Sequence, residues 1–120
     1  MNYTEENRRK TAHFAQKRGN MIRVTVWNEY LHEKEEPVRH IYPNGIHGCI
    51  KEFLQTDEAF VIKTATFEMP EHGLTEEVLK QTDVLIFWSH MRQNEFSDEV
   101  AARVCNHVRQ GMGLVALHSA

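Results

Sequence analysis

Residues 84–88 read Val-Leu-Ile-Phe-Trp, a run of apolar side chains preceded by Thr82-Asp83 and followed by Ser89-His90. It is far too short to cross a bilayer, which takes roughly 18 to 20 apolar residues. A strand with one wet face would alternate polar and apolar positions, whereas a strand covered on both faces does not. The pattern over 83–88 therefore predicts a central strand of a parallel sheet with helices on both sides. Residues 113–117, carrying Leu114, Val115, Ala116 and Leu117, predict another strand buried in the same way.

The remaining pattern supplies partners for these strands. Ile22, Val24 and Val26 alternate with Arg23 and Thr25, which predicts a first strand ending near Trp27 and Asn28. Phe60, Val61, Ile62, Thr64 and Thr66 predict a strand over 59–67. Between them, Asn44 and Gly45 open a helix whose stripe is Ile46, Cys49, Ile50, Phe53 and Leu54. Thr75, followed by Glu76 and Glu77, caps a short helix through Leu79. Ser97, followed by Asp98 and Glu99, caps a helix with Val100, Val104 and Val108 on one face and Gly111 at its end. Residues 29–43 are charged, contain two prolines and have no periodicity, which predicts a long exposed loop of the kind that carries function or stays disordered.

Strands alternating with helices imply βαβ crossovers, so the expected fold class is α/β with an open, mostly parallel, doubly wound sheet of flavodoxin-like type rather than a barrel. The chain has 120 residues, 26% of them charged, enough for a single packed core. There is no internal repeat, sustained heptad or secretory h-region, which makes the cytoplasm the expected location. Residues 1–20 form a basic extension of net +3 within a total of −3, so residues 21–120 carry −6 and match nucleic acid poorly. That leader reads as a partner-contacting helix or as a frayed extension. Cys49 and Cys105 lie in helical patterns with no C-x-x-C spacing, which predicts buried free thiols. The last strand pattern meets Ala120 with no helix after it. Either another subunit, as in a homo-oligomer, covers that side, or this is the N-terminal half of a longer domain, which is the expectation here.

In open parallel sheets, ligands bind outside the carboxyl ends of the strands. Asn28 and Glu29 follow the first strand, His47 lies in the first turn of the next helix, His90 follows Trp88-Ser89, and His118 ends the last strand beside Ser119. Imidazoles and a carboxylate suit a divalent ion, zinc or manganese, and equally serve as general acid and base. There is no H-E-x-x-H or H-x-H pair, so any metal site of His47, His90 and His118 must be assembled from separate loops. Taken singly, each reads equally well as a capping or hydrogen-bonded structural histidine. His32 and His40 lie in the long loop, as contacts of a lid or as solvated residues. His13, His72 and His107 read as structural. Trp27 and Trp88 can stack on a sugar ring or pack in the core. Neither cysteine lies at a strand end, no G-x-S-x-G surrounds Ser119, and no glycine-rich phosphate loop follows the first strand, which argues against a nucleotide cofactor.

These residues carry a family resemblance: Val24-Thr25-Val26-Trp27-Asn28-Glu29 with His32, Ile41-Tyr42-Pro43-Asn44-Gly45-Ile46-His47, Leu74-Thr75-Glu76-Glu77-Val78-Leu79, Thr82-Asp83-Val84-Leu85-Ile86 with Trp88 and His90, Gly111-Met112-Gly113-Leu114, and Leu117-His118-Ser119-Ala120. Over residues 21–120 the chain resembles the trehalose utilisation (ThuA-like) family, whose fold is similar to class I glutamine amidotransferases. The resemblance implies a role in carbohydrate catabolism, a sugar or keto-sugar ligand and a C-terminal half beyond Ala120. In amidotransferases the nucleophilic cysteine follows the strand that 113–117 matches; His118 and Ser119 stand there instead, which speaks against amidotransferase activity. The expected catalytic groups are Glu29, His90 and His118, performing metal-assisted or acid–base hydrolysis or elimination. Trp27, Asn28, His32, Trp88 and Ser119 are expected to contact the substrate. The alternative is a non-catalytic sugar-binding or regulatory module that lacks the nucleophile. Neither reading calls for nucleic acid or a membrane as a partner.

Overall fold

A computed structural model describes residues 21–120 and, within the leader, Glu5. The basic extension of residues 1–20, with His13, otherwise lies outside the described residues. The described strands are β1 (Ile22–Asn28), β2 (Phe60–Thr66), β3 (Val84–Ser89) and β4 (Gly113–His118). They form one parallel sheet in the order β2-β1-β3-β4. The chain winds outward from β1 to β2, then crosses back to β3 and on to β4. Winding reverses between β1 and β3, and the carboxyl ends of those two strands flank the switch point where such sheets hold ligands.

Helices α1 (Val38–Ile41) and α2 (Gly45–Leu54) connect β1 to β2, α3 (Glu76–Lys80) connects β2 to β3, and α4 (Asp98–Arg109) connects β3 to β4. The Thr75 and Ser97 hydroxyls accept the Val78 and Val100 N–H groups, the caps that the sequence predicts. The core lies between the sheet and the α3/α4 layer: Trp27, Ala65 and Leu85 from the strands meet Leu79, Val100 and Val104 from the helices. Trp27 stacks on Phe87 at 4.3 Å between ring centroids, with Phe96 edge-on at 5.5 Å. At the opposite end of the sheet, Arg23 grips Asp83 through Nη2–Oδ1 at 3.0 Å and Nε–Oδ2 at 3.2 Å, pinning the start of β3 to β1.

The structure corrects several expectations. β4 is not buried like β3: Leu114 is 47% and Val115 44% exposed, because β4 is an edge among the described residues and α4 packs over the middle of the sheet. Both cysteines are exposed free thiols. Val100 and Val104 face the core, and Cys105 is turned about 100° away from Val104 on the helix. On α2, Phe53 of the expected stripe is 75% exposed. Residues 29–43 are not a featureless loop, since they hold a 3₁₀ turn (His32–Lys34), α1 and two buried carboxylates, Glu29 and Glu33. No helix among the described residues is long and apolar enough to cross a membrane.

Leu85 is fully buried at the middle of this core. Leu85→Ala is expected to cost about 2–5 kcal/mol, read as a lower urea midpoint with unchanged slope. A loss below about 1 kcal/mol would mean that the core is not organised around β3.

Candidate functional site

The register sets Asn28 beside Trp88 and Ser89 beside His118, so β1, β3 and β4 deliver their final residues to one edge. There the Glu29 side chain is 0% exposed. Its Oε2 accepts the Ser89 hydroxyl at 3.0 Å and the His90 and Arg92 N–H groups at 3.1 and 2.9 Å, while Oε1 accepts the Met91 N–H at 3.0 Å. Burial alone would raise the Glu29 carboxyl; the N–H groups of Met91, Arg92 and His90 and the Ser89 hydroxyl outweigh it and hold the group below its ordinary value. Glu29 is therefore an ionised anchor for the loop after β3, and its own oxygens are occupied.

Above that anchor three imidazoles converge. His32, on the 3₁₀ turn after β1, places Nε2 2.9 Å from His90 Nδ1. The His118 ring lies 4.2 Å from the His90 ring. Trp88 borders all three, with ring centroids 5.9 Å from His32, 6.4 Å from His90 and 5.3 Å from His118. His118 holds φ +64°, a left-handed conformation that costs a non-glycine residue energy and that recurs where a side chain is aimed for function. Its Nδ1 lies 2.7 Å from the Ser119 hydroxyl, and the Ser119 N–H donates to the Ser89 carbonyl at 3.2 Å. The Gln93 amide donates to the Ser119 carbonyl at 3.1 Å, closing the loop ends on each other.

A second polar group lies at the start of α2. The Asn28 amide is buried; its Nδ2 donates to Glu33 Oε2 and faces His47 Nδ1 at 3.0 Å, and its Oδ1 accepts the Tyr30 N–H. Glu33 Oε2 also accepts the Ile46 N–H at 3.1 Å. Asn44, at the N-cap, makes no capping bond, so Glu33 supplies from outside the helix the anion that the helix terminus favours. Burial lowers the pKa of His47, and the Glu33 charge opposes this only in part. Gly45, at φ +78°, lets the ring sit close: a Cβ there would fall 2.4 Å from His47 Cε1.

The expected site residues are thus divided. His90, His118, His32, Trp88 and Ser119 gather in one cluster, with Glu29 beneath it. Asn28 and His47 belong to the Glu33 network, and no hydrogen bond or ring contact joins His47 to His90 or His118. Among the described residues, no three His, Cys, Asp or Glu side chains are grouped so as to hold a metal ion. Trp27 is 1% exposed, stacked on Phe87 with its Nε1–H on the His72 carbonyl, so it offers a sugar no free face. His72 bridges the Phe67 carbonyl and the Ser97 N–H, and His107 pairs with Glu76; both are structural. His40 is exposed on α1. Glu33, Ser89 and Gln93 were invisible to hydropathy. The only clue to Glu33 was a carboxylate directly after His32.

The family model ThuA, described as trehalose utilisation, matches residues 23–120. No curated protein matches the sequence.

Glu29→Gln replaces an acceptor-only group with one whose NH2 must face N–H donors. It is expected to cost about 3 kcal/mol, the penalty of leaving buried donors unpaired around a former charge. Because the folded-state pKa is lowered, the carboxylate's contribution is complete above the unfolded value, about 4.3, and fades as pH falls through the folded value. The stability–pH curve of Glu29→Gln should be flatter across that acid window. Parallel curves for the two proteins would show that Glu29 is not the anchor.

Proposed function

The chain belongs to the ThuA trehalose utilisation family and has its glutamine amidotransferase-like α/β fold, and from that premise we propose that it binds a sugar or keto-sugar derivative at the carboxyl edge of the sheet and converts it by acid–base chemistry. The observation that carries this reading is the His32–His90 contact with His118 packed against it.

A hydrogen bond between two imidazole nitrogens holds one proton between them. If that proton is on His32 Nε2, neutral His32 has a bare Nδ1 and His90 presents Nε2–H. If it is on His90 Nδ1, the two outward nitrogens exchange roles. A neutral pair therefore always offers one base and one acid, and after a turnover the shared proton crosses to the other ring, which leaves both rings neutral with the two roles exchanged. On a keto-sugar the base takes a proton from the carbon next to the carbonyl. The electron pair of that C–H bond forms a C=C bond as a C–O bond to the leaving sugar breaks, and the acid supplies the proton to the departing oxygen. His118 and the Ser119 hydroxyl lie beside the pair as hydrogen-bonding groups for substrate hydroxyls. The half-buried Trp88 offers the apolar side of a sugar ring a surface. Glu29 acts in this scheme by holding the His90 backbone and touches no substrate.

A divalent ion on His47, His90 and His118 fits the observed grouping poorly, since His47 is committed to Asn28, so each proton step above rests on imidazoles. Elemental analysis of the purified protein tests that separately. About one zinc or manganese per chain, lost in His90→Ala, would put a metal back into the site.

With oxidised disaccharides as substrates, His90→Ala is expected to lower kcat about 10²–10⁴-fold, the usual contribution of a positioned acid–base group. His32→Ala should lower it comparably, because either substitution destroys the pair. Unchanged turnover with weakened affinity would overturn the enzymatic reading and leave a sugar-binding module.

A further inference from the structure

The Glu33 carboxylate is 2% exposed, and its Oε1 has no hydrogen-bond partner among the described residues. Its Oε2 is shared between the Asn28 amide and the Ile46 N–H. A carboxylate only accepts, so the face that Asn28 turns toward it must be the NH2. The Tyr30 N–H, 3.0 Å from Oδ1, enforces the same orientation from the other side. The amide cannot flip without setting oxygen against carboxylate and N–H against N–H.

The second hydrogen of that NH2 faces His47 Nδ1 at 3.0 Å. A nitrogen that receives a hydrogen bond carries no proton, so the ring proton must be on Nε2. Nε2 has no partner among the described residues, and His47 as a whole is only half-buried. We infer that Glu33 is a positioning residue which, through the Asn28 amide, locks His47 as the tautomer with Nε2–H outward, a fixed donor for a carbonyl or hydroxyl oxygen of the ligand.

The last step, that the donor meets a sugar oxygen, rests on the function proposed above; the tautomer lock does not. Gly45 belongs to the same arrangement, because any side chain there would displace the ring that Asn28 holds. The start of α2 is thereby coupled to β1 through one carboxylate.

The test is long-range ¹H–¹⁵N correlation of the histidine rings in the full chain, recorded above the histidine titration range. Wild-type His47 is expected with Nδ1 unprotonated and Nε2–H dominant. In Asn28→Ala, which removes the donor, and in Glu33→Gln, which lets the amide pair reorient, the ratio of Nε2–H to Nδ1–H should fall about fivefold, the scale of one net hydrogen bond. A wild-type ring protonated on Nδ1, or a ratio unmoved in either variant, would overturn the inference, and the first of these can be read even if a variant fails to fold. Titration with trehalose and a keto-disaccharide then separates the two readings. Movement of the His47 Nε2 signal supports the ligand contact, and movement confined to His90 and His118 refutes it. No movement at any ring counts instead against sugar binding itself.

Discussion

The site depends on one buried charge. Parallel strands end in loops whose backbone N–H groups have no ladder partners, and the turn after β3 presents three of them in succession, at His90, Met91 and Arg92. Glu29, one residue past the end of β1, reaches across and accepts all three together with the Ser89 hydroxyl. A carboxylate is the side chain suited to this, having several lone pairs and no hydrogens when ionised. The price of burying it is offset by those donors, which is why its proton affinity falls despite burial. With that loop fixed, His90 is presented at a defined height over the sheet edge, and His32 and His118 pack against it.

The same device recurs at smaller scale. Glu33 meets the amino end of α2 and the Asn28 amide, so a helix without a capping side chain is held to β1 by a carboxylate from the preceding turn. Left-handed backbone at Tyr30 and His118 turns the chain sharply where β1 and β4 give way to the site. At this edge the acidic residues hold backbone N–H groups, and the histidines gather above them.

Much of the architecture was legible in the residues. The unbroken apolar run at 84–88 identified an interior strand of the parallel sheet, though only Leu85 and Ser89 of β3 are fully buried, and Thr75 and Ser97 announced their helices, because local pattern and capping chemistry act over a few neighbours. The segment 29–43 misled. Hydropathy scores Glu29 and Glu33 as solvated charges, and only donors arriving from Met91, Arg92 and Ile46, far along the chain, make them interior groups. Cys49 and Phe53 misled in the opposite direction: a helical stripe marks a face, but how much of it is covered depends on what packs there.

By itself the sequence determined the parallel α/β winding, and with it the edge at which His90 and His118 would lie, because hydrophobic period and crossover handedness follow from short-range chemistry; the order β2-β1-β3-β4 came from the structure. Tertiary structure alone decided which of the residues at that edge touch. His32 meets His90 across 58 positions of chain, while His47, equally well placed by rule, faces Asn28 instead. It also turned Trp27 inward onto Phe87 and left Trp88 at the rim. Such pairings are set by side-chain direction and donor–acceptor matching between distant segments, and one strand or turn read alone contains neither.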